Sequence, residues 1–322
     1  MNHSLPSVTR LGFRLVCAAW IALPAFGAQG AENEAAQPAP PEWSEGNRIV
    51  VQAARRVQDE SALSADLRYR IDAFGHELAG QGSYQQLGKG PEKLLRMELK
   101  VQVADQAITR QEICGPSYYY IRCESPFAPT SLGRVNLRAL RLGIARAPAH
   151  IAGNPAEAWI LLGGLPKLLE SLFQNFDFSP PREDELQFAS ADGQGVERLP
   201  VIILTGRWKK DSLAALRNTG KGPSKERAEQ LPDAVEIVLG RADQVLPLFP
   251  YRITYLQTEP GEKSEQGRGG ESSRPLLSLE LFNVHRKGNL DPRDFDYQPG
   301  TQEFADLTQA YLQRLGLAIK QR

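Results

Sequence analysis

The sequence has no surplus of charge of either sign, and this absence excludes one class of partner. Its 322 residues include 38 Lys and Arg and 38 Asp and Glu, which gives a formal net charge of +0 at pH 7. A nucleic-acid-binding protein neutralises phosphates with an excess of basic side chains. We therefore predict no nucleic-acid partner. Hydrophobic residues make up 41% of the chain, which is enough to bury a core.

The motifs of common enzyme chemistry are also absent. The sequence contains no HExxH, CxxC or GxSxG pattern and no phosphate-binding glycine loop. His76 lies beside Glu77, but such neighbours in a turn are more often structural than catalytic. Carboxylates such as Asp294, Asp296 and Asp306 have no catalytic spacing and are typical of turns and solvated surfaces. We expect a protein that is not an enzyme, with no catalytic residue, metal site or cofactor.

No apolar run is long enough to span a bilayer. The longest, Leu15 to Phe26, has about 12 residues, whereas a spanning helix needs roughly 20. Arg10 and Arg14 precede it and small residues follow, as in a secretory signal peptide. We predict a signal peptide over residues 1–31, rather than a membrane anchor, and a flexible Ala- and Pro-rich leader over residues 32–44. The mature protein is expected to cross the inner membrane and reside in the periplasm.

Cysteine is scarce, and only Cys114 and Cys123 lie beyond the predicted signal peptide. An oxidising compartment favours a disulfide. If "CGPS" forms a hairpin turn, however, Cys123 lies several residues along the return strand, beyond the roughly 7 Å that separates bridged Cα atoms. We predict two unpaired thiols.

The chain that remains begins with one helix and continues with strands. Ile49, Ala53 and Val57 form an apolar stripe on a predicted helix over residues 47–58. Apolar and polar residues then alternate over 63–73, 78–87 and 95–103, followed by a hairpin over 107–113 and 118–123. The short turns between these segments predict an antiparallel meander.

Two helices are predicted in the middle of the chain. The first has an apolar side that includes Val135 and Ile144, with Asn136 as a candidate cap and Arg134, Arg138 and Arg141 on another side. Such a basic helix fits a membrane surface or a solvated face, and the neutral chain favours the solvated face. The second, residues 165–176, is apolar at helical spacing, with Pro166 in its first turn.

Strands resume over 199–208, 233–240, 251–258 and 276–284, separated by charged, Gly-rich stretches near 209–232 and 258–275 that are typical of loops. Roughly nine to eleven strands are expected in total. We predict a mainly β protein with helices (α+β), in which an unclosed antiparallel half-barrel has helices as a lid on its concave face. The domain is expected to span residues 45–315, followed by a tail over 316–322.

The stretch from Asp291 to Thr308 is unusual. Phe295 and Tyr297 alternate with acidic residues as in a strand, but Pro299 and Gly300 cannot continue a strand inside a sheet. A strand that ends there belongs at the edge of a sheet.

Several of these segments together resemble a known family. "LSADLRYRI", "GHELAGQGSYQQ", "KLLRMELKV" and the "ICGPSYYYIR" hairpin are similar to the opening of the periplasmic lipoprotein carrier LolA and its relatives, the outer-membrane lipoprotein-sorting superfamily. "LSLELFNVHRKGNLDPRDFDYQPG" resembles that family's last long strand and short closing strand. The resemblance covers most of residues 45–308. One departure is Gly90 before Pro91, where the family has an arginine that helps to hold its lid closed; Lys89 and Lys93 are candidate substitutes.

The resemblance implies a carrier that binds the acyl chains of a lipid or lipoprotein in an apolar cavity. Residues 165–176 and 135–144 would form the lid. A membrane-bound releasing or accepting partner is implied, and we expect a monomer. The implied cavity and lid residues are Leu67, Tyr69, Ile71, Tyr84, Met97, Leu99, Val101, Leu165, Leu168, Leu169, Leu172 and Phe173.

Two alternatives stay open. The same apolar residues would form an ordinary solid core if the helices packed on the sheet without a cavity. Envelope-stress sensors also resemble this half-barrel and use it to bind a partner protein, so a regulatory module is the second functional interpretation.

Overall fold

One large sheet with helices on one face makes up the described part of the chain. The computed structural model describes residues 43–73, 76–103, 105–146, 158–189, 196–218, 231–259, 272–286 and 290–317. The predicted signal peptide and nearly all of the predicted leader lie outside these residues. The helices are α1 Glu45–Asp59, α2 Leu137–Arg146, α3 Trp159–Leu162, α4 Leu165–Asn175, α5 Lys210–Asn218 and α6 Thr308–Arg314, with 3-10 turns at Gly90–Glu92 and Pro292–Phe295.

The sheet contains thirteen strands within the described residues. They are β1 Ala62–Ala73, β2 His76–Leu87, β3 Leu94–Val103, β4 Gln106–Cys114, β5 Tyr118–Ser125, β6 Ala128–Asn136, β7 Phe176–Phe178, β8 Arg182–Ala189, β9 Val196–Trp208, β10 Ala234–Gly240, β11 Pro250–Glu259, β12 Ser272–His285 and β13 Ala305–Asp306. Their order is β13-β6-β5-β4-β3-β2-β1-β12-β11-β10-β9-β7, with β8 also on β9. The predicted open antiparallel half-barrel is confirmed, and β7 and β13 add two short strands to the eleven long ones.

The two halves of the chain meet at the centre of the sheet. Strands β1 to β6 form one meander, and β9 to β12 form a second. They join where β1 pairs with β12, from Ser64 opposite His285 to Ile71 opposite Leu277. Leu67 and Leu281 face each other in this seam and are both buried. The seam therefore joins residues that are more than two hundred positions apart in the sequence.

Helices α1 and α4 cross the same face of the sheet in opposite directions. Ser44 caps the start of α1 and also donates to the Phe178 carbonyl of β7 at 2.9 Å, and the C-terminus of α1 lies beside Gln86 of β2. Helix α4 begins beside Tyr84 of β2 and ends where β7 begins. The two helices thus span the sheet from its β9 edge to its centre.

Helix α2 begins later than its apolar pattern predicts. Residues up to Asn136 belong to β6, and Val135 pairs with Tyr119 of β5, so the placement of Val135 in a helix was wrong. Asn136 does cap the helix, because its side-chain oxygen accepts from Ala139 N at 3.0 Å. Strand β6 escaped prediction because its first half, "APTS", has no apolar alternation.

The segment that precedes α6 wraps around the sheet edge formed by β6. Residues Pro292–Phe295 form a 3-10 turn, capped by Asp291 through a 2.9 Å bond from Arg293 N, so the predicted closing strand at Phe295 and Tyr297 was wrong. Strand β13 instead pairs in parallel with Gly133 and Arg134 of β6. Tyr297 stacks on Tyr120 at 5.0 Å on the outer face.

Strands β7 and β8 and helices α3, α5 and α6 were also missed. Strands β7 and β8 both pair with β9, and β8 is predominantly charged and exposed, which hides it from hydrophobic patterning. The predicted loop over 209–232 begins with α5, whereas residues 219–230 lie outside the described residues.

Candidate functional site

The helix-covered, concave face of the sheet carries the residues that the sequence pointed to. Strands β1, β2 and β3 and helix α4 bring all twelve predicted cavity and lid residues into one contiguous hydrophobic cluster. Phe173 is partly buried and the others are buried. Leu99 on β3 and Leu169 on α4 are 1% and 0% exposed. This placement brings the predicted residues together without showing what they bind.

Two glycines on β2 let β1, β2 and β3 approach closely. Leu67 and Leu99 both pair with Gly82, and Tyr69 and Val101 both pair with Gly80. A Cβ at Gly82 would lie 1.8 Å from the Glu98 carbonyl oxygen of β3. The close neighbour of these two glycines is therefore the adjacent strand β3.

The apolar surface continues into the second meander. Leu279 of β12 pairs with both Tyr69 of β1 and Ile253 of β11, and Ile253 pairs with Ile237 of β10. All four are buried in the same cluster. We call this surface, the concave face of β1–β3 and β10–β12 with α1, α3 and α4, the apolar half. Sequence patterning predicted these later strands but did not assign their inward faces.

The remaining concave face, formed by β4–β6 with α2 and α6, contains a buried ionic network and is called the polar half. Arg110 Nε donates to Glu112 Oε1 at 2.6 Å, and Tyr119 Oη donates to Glu112 Oε2 at 2.5 Å. The Glu112 side chain is 2% exposed. The Tyr311 ring of α6 lies 6.1 Å from that of Tyr119. Burial and the neighbouring Glu112 raise the pKa of Tyr119 well above its ordinary value.

The polar half was missed, although a sequence signal for it exists. One face of β4 carries Ile108, Arg110, Glu112 and Cys114. The alternation therefore places two neighbouring charged side chains on this face between two apolar ones. An inward pair of opposite charges is stable when each partner is hydrogen-bonded. The interruption of the apolar series therefore indicates a buried ion pair.

A second buried polar group connects the sheet to both helices of the apolar half. Tyr84 Oη donates to Gln86 Oε1 at 3.0 Å and accepts from Leu165 N at 3.4 Å. Gln86 Nε2 donates to the Val57 and Glu60 carbonyls at 3.2 and 3.1 Å. We call Tyr84, Gln86 and Lys93 the polar junction. It joins the first residue of α4 to the last turn of α1.

Lys93 occupies the region where the family resemblance led us to look for a substitute for arginine. Its Nζ lies 3.5 and 3.4 Å from the carbonyl oxygens of Val57 and Gln58. Lys93 therefore holds the end of α1 and not α4. Burial lowers its pKa to about 8, against the opposing effect of Asp59 and Glu60. Gly90 has φ +70°, which favours glycine, and a Cβ there would meet no atom within 4 Å.

The contact between α3, α4 and the sheet is close at this end. The Trp159 ring stacks on the Tyr84 ring with centroids 5.7 Å apart. Gly164, at φ +81°, precedes α4, and a Cβ there would lie 2.5 Å from Tyr84 Oη. At the other end of α4, Trp43 packs edge-on against Phe173 at 4.9 Å.

No disulfide joins Cys114 and Cys123, as predicted. Cys114 pairs with Tyr119 in the sheet, whereas Cys123 pairs with Arg110, several residues away. Burial raises the pKa of the Cys114 thiol to about 12. A thiol that keeps its proton is a poor nucleophile.

The outer face of the sheet has a groove of about 330 Å³ that is lined by both charged and apolar side chains. Arg68 pairs with Glu280 at 3.2 Å, and Arg252 pairs with Glu236 at 3.3 Å. Thr254 and Ser278 add hydroxyls that lie 3.2 Å apart. Because opposite charges already pair across this groove, its lining is unsuitable for an acyl chain.

Two kinds of feature are absent from the described residues. No helix there is long and apolar enough to cross a membrane. No group of three or more His, Cys, Asp and Glu side chains there is arranged to hold a metal ion.

These features define an open antiparallel half-barrel whose concave face is covered by helices. A crystal structure of a DUF1329 family protein from Desulfovibrio piger aligns with a TM-score of 0.32 and 11% identity, over 78% of this chain and 96% of that one. A crystal structure of a putative outer membrane lipoprotein-sorting protein domain from Vibrio parahaemolyticus aligns with a TM-score of 0.28 and 11% identity, over the same shares. No protein-family model and no curated protein matches the sequence. At these TM-scores the two likenesses carry no argument about function.

Proposed function

We propose that the protein is a non-enzymatic carrier of the periplasm that binds acyl chains of a lipid or lipoprotein in the apolar half. The observation that carries the proposal is the continuous apolar surface from Ile237 on β10 to Val101 on β3, covered by the apolar sides of α1, α3 and α4. A single hydrophobic cluster includes both the sheet surface and its helical cover.

The cover is suited to exchange with a ligand for a physical reason. Leu168, Leu169 and Leu172 of α4 contribute non-directional contacts to the cluster. An acyl chain that displaces these three leucine side chains still covers the sheet surface and keeps it out of water. The exchange also leaves no buried polar group without a hydrogen bond. At the polar junction, by contrast, helix movement breaks hydrogen bonds. The junction is therefore the natural hinge, and the distal part of α4 is the part that moves.

The free energy of such exchange is close to balanced. Burial of an acyl chain is worth about 0.8 kcal/mol per methylene, or on the order of 10 kcal/mol for a long chain. A bilayer gives the same gain. A carrier with a similarly apolar site can therefore load from one membrane and unload into another without a catalytic step, helped by a membrane-bound releasing or accepting partner. We propose that it acts as a monomer.

The first experiment is organic extraction and mass spectrometry of the mature protein, residues 32–322, exported and purified without detergent. We expect a stoichiometric acyl lipid. A protein that yields no lipid and takes up no fluorescent fatty acid has a solid core without a cavity. That outcome would contradict the carrier proposal and favour the partner-binding sensor module.

Variants locate the site. Leu99→Asp and Leu169→Asp are expected to abolish fatty-acid uptake, whereas Val245→Asp, at a site that is 81% exposed, should bind as the parent does. Leu99→Trp is the companion variant, because it fills space without burying a charge and costs only about 1–3 kcal/mol of stability. If the Leu99→Trp and Leu169→Asp proteins fold and still take up fatty acid fully, the binding site does not lie in the apolar half.

A further inference from the structure

Helix α2 carries an exposed row that mixes arginine with leucine. Arg138, Leu142 and Arg146 are spaced four residues apart and lie on the solvent side of the helix. Leu142 is 48% exposed, as are few other large apolar side chains of the described residues. On its opposite side the helix buries Leu137, Leu140 and Gly143. The exposed row is therefore separate from the core and from the apolar half.

The neighbouring helix reinforces the positive charge. Gly143 of α2 packs so closely on α6 that a Cβ there would lie 2.9 Å from Leu312 Cδ2. Arg314 of α6 is also exposed. The two helices, "LRALRLGIAR" and "TQAYLQR", contain four arginines and no carboxylate. In a chain with a net charge of +0, this is a local separation of charge.

The acidic stretch that precedes α6 makes its contacts away from Arg138 and Arg146. Tyr297 and Phe304 pack against Tyr120 on the outer side of the sheet, whereas the neighbouring Tyr119 points inward to Tyr311 of α6. Asp306 is engaged by Thr308 N at 2.9 Å. Neither Arg138 nor Arg146 forms an ion pair with another residue of the described ranges.

We propose that the exposed row of α2 docks the protein on an anionic phospholipid surface. Arg138 and Arg146 contact headgroup phosphates, and Leu142 enters the interfacial layer between them. Charge complementarity selects this occupant, because arginine donors match phosphate oxygens. A protein partner fits less well, since a stable interface buries about 800 Å² on each side, and a ten-residue helix about 15 Å long with one exposed leucine presents little of that.

The proposal goes beyond acyl-chain binding and does not depend on it. It assigns a side of the molecule that faces the membrane and predicts which lipids attract it. Juxtamembrane basic residues each strengthen binding to an anionic bilayer by roughly fivefold, and salt screens the attraction.

Vesicle flotation of the mature protein tests the docking surface. We expect flotation with phosphatidylcholine vesicles that contain phosphatidylglycerol, no flotation with pure phosphatidylcholine, and loss at high salt. The double variant Arg138→Gln/Arg146→Gln should bind anionic vesicles roughly 25-fold more weakly, and Leu142→Ser should reduce binding several-fold. All variants should keep the parent's urea midpoint, because the three side chains are exposed.

The matched control is Arg55→Gln/Arg56→Gln on α1, which removes two exposed arginines from a helix that also contains Glu45 and Asp59. It should float like the parent. If both double variants lost vesicle binding equally, the binding would depend only on net charge, and the assignment of the docking surface to α2 would be wrong. The proposal is also overturned if the protein does not float, or if it floats equally with neutral vesicles. It is likewise overturned if the protein does not bind vesicles but binds an acidic protein through α2.

Failure of docking can be told apart from failure of the carrier function. Leu99→Trp should float like the parent while losing fatty-acid uptake. Arg138→Gln/Arg146→Gln should show the reverse, because detached fatty acid reaches the apolar half without a membrane.

Discussion

The two halves of the concave face are held together by different forces. The apolar half relies on contacts among residues such as Leu67, Leu99 and Leu169, which accept any apolar neighbour. The polar half adds to such contacts a buried network of Arg110, Glu112 and Tyr119, whose hydrogen bonds require one geometry. A surface without directional bonds can exchange its cover for a ligand, whereas a buried ionic network resists change. Under the proposed carrier function, the apolar half would bind the ligand and the polar half would support it.

The largest expected effect is in the polar half. Glu112→Ala leaves Arg110 charged beside an apolar core, and we expect a loss of about 3 kcal/mol in the free energy of unfolding measured with urea. This is the lower end of the usual range because the Arg110 side chain is 21% exposed. Glu98→Ala, which breaks an exposed pair with Arg96 at 3.8 Å, should cost less than about 1 kcal/mol.

A triple variant sharpens this test. Arg110→Met/Glu112→Leu/Tyr119→Phe removes every member of the network, and stability should return close to that of the parent. If Glu112→Ala were no more costly than Glu98→Ala, the polar half would not be a rigid support.

An effect of similar size is expected in the apolar half. Leu99→Ala should cost about 3 kcal/mol in lipid-free protein, because Leu99 is 1% exposed and leaves a cavity. Added fatty acid should shrink the difference from the parent, since the ligand fills the space, but should not shrink the loss in Glu112→Ala. If fatty acid changed the stability loss of both variants equally, the two halves would not differ in ligand binding.

A pH dependence is expected at the polar junction. Burial lowers the pKa of Lys93 from 10.5 to about 8, so between these values the unfolded chain keeps a proton that the folded protein releases. The free energy of unfolding therefore rises with pH, by about 1 to 2 kcal/mol from pH 8 to 9.5. Lys93→Met should remove this rise, and urea titrations of both proteins at each pH measure it. A parallel pH profile for the two proteins would contradict the assignment.

The smallest effect is at the hinge. Tyr84→Phe removes the bonds to Gln86 and Leu165 N and should cost about 1 kcal/mol. Hydrogen exchange at the start of α4 should quicken, while exchange in β4 and β5 stays unchanged. Tyr297→Phe on the outer face is the control. If Tyr84→Phe made hydrogen exchange faster throughout the sheet, the polar junction would not be a local hinge.

Sequence patterning succeeded where one driving force dominates. The alternation in β1 and β3 and the helical spacing of α4 correctly placed Leu67, Leu99 and Leu169, because burial on one side alone determines such elements. It failed for β6 and β8, whose pairing depends on backbone hydrogen bonds to neighbours and leaves little hydrophobic signal. It also failed at Phe295, where a cap and a proline outweighed an apparent alternation.

The polar half lay outside prediction for another reason. Its identity depends on Glu112 meeting both Arg110 and Tyr119 across two strands. Hydrophobic periodicity treats each charge as solvent-facing, so a paired and buried charge is invisible to it. The presence and volume of a cavity depend on packing among distant elements and likewise cannot be predicted from patterning.

The central seam between β1 and β12 also governs when the protein can fold. Ser64 pairs with His285, so the middle of the sheet cannot close until almost the whole chain has been synthesised. Contacts between such distant residues slow folding, because the loop entropy is lost before the contact is gained. A late-closing sheet keeps the chain unfolded for longer, which would favour passage through a translocation channel if the predicted signal peptide directs export.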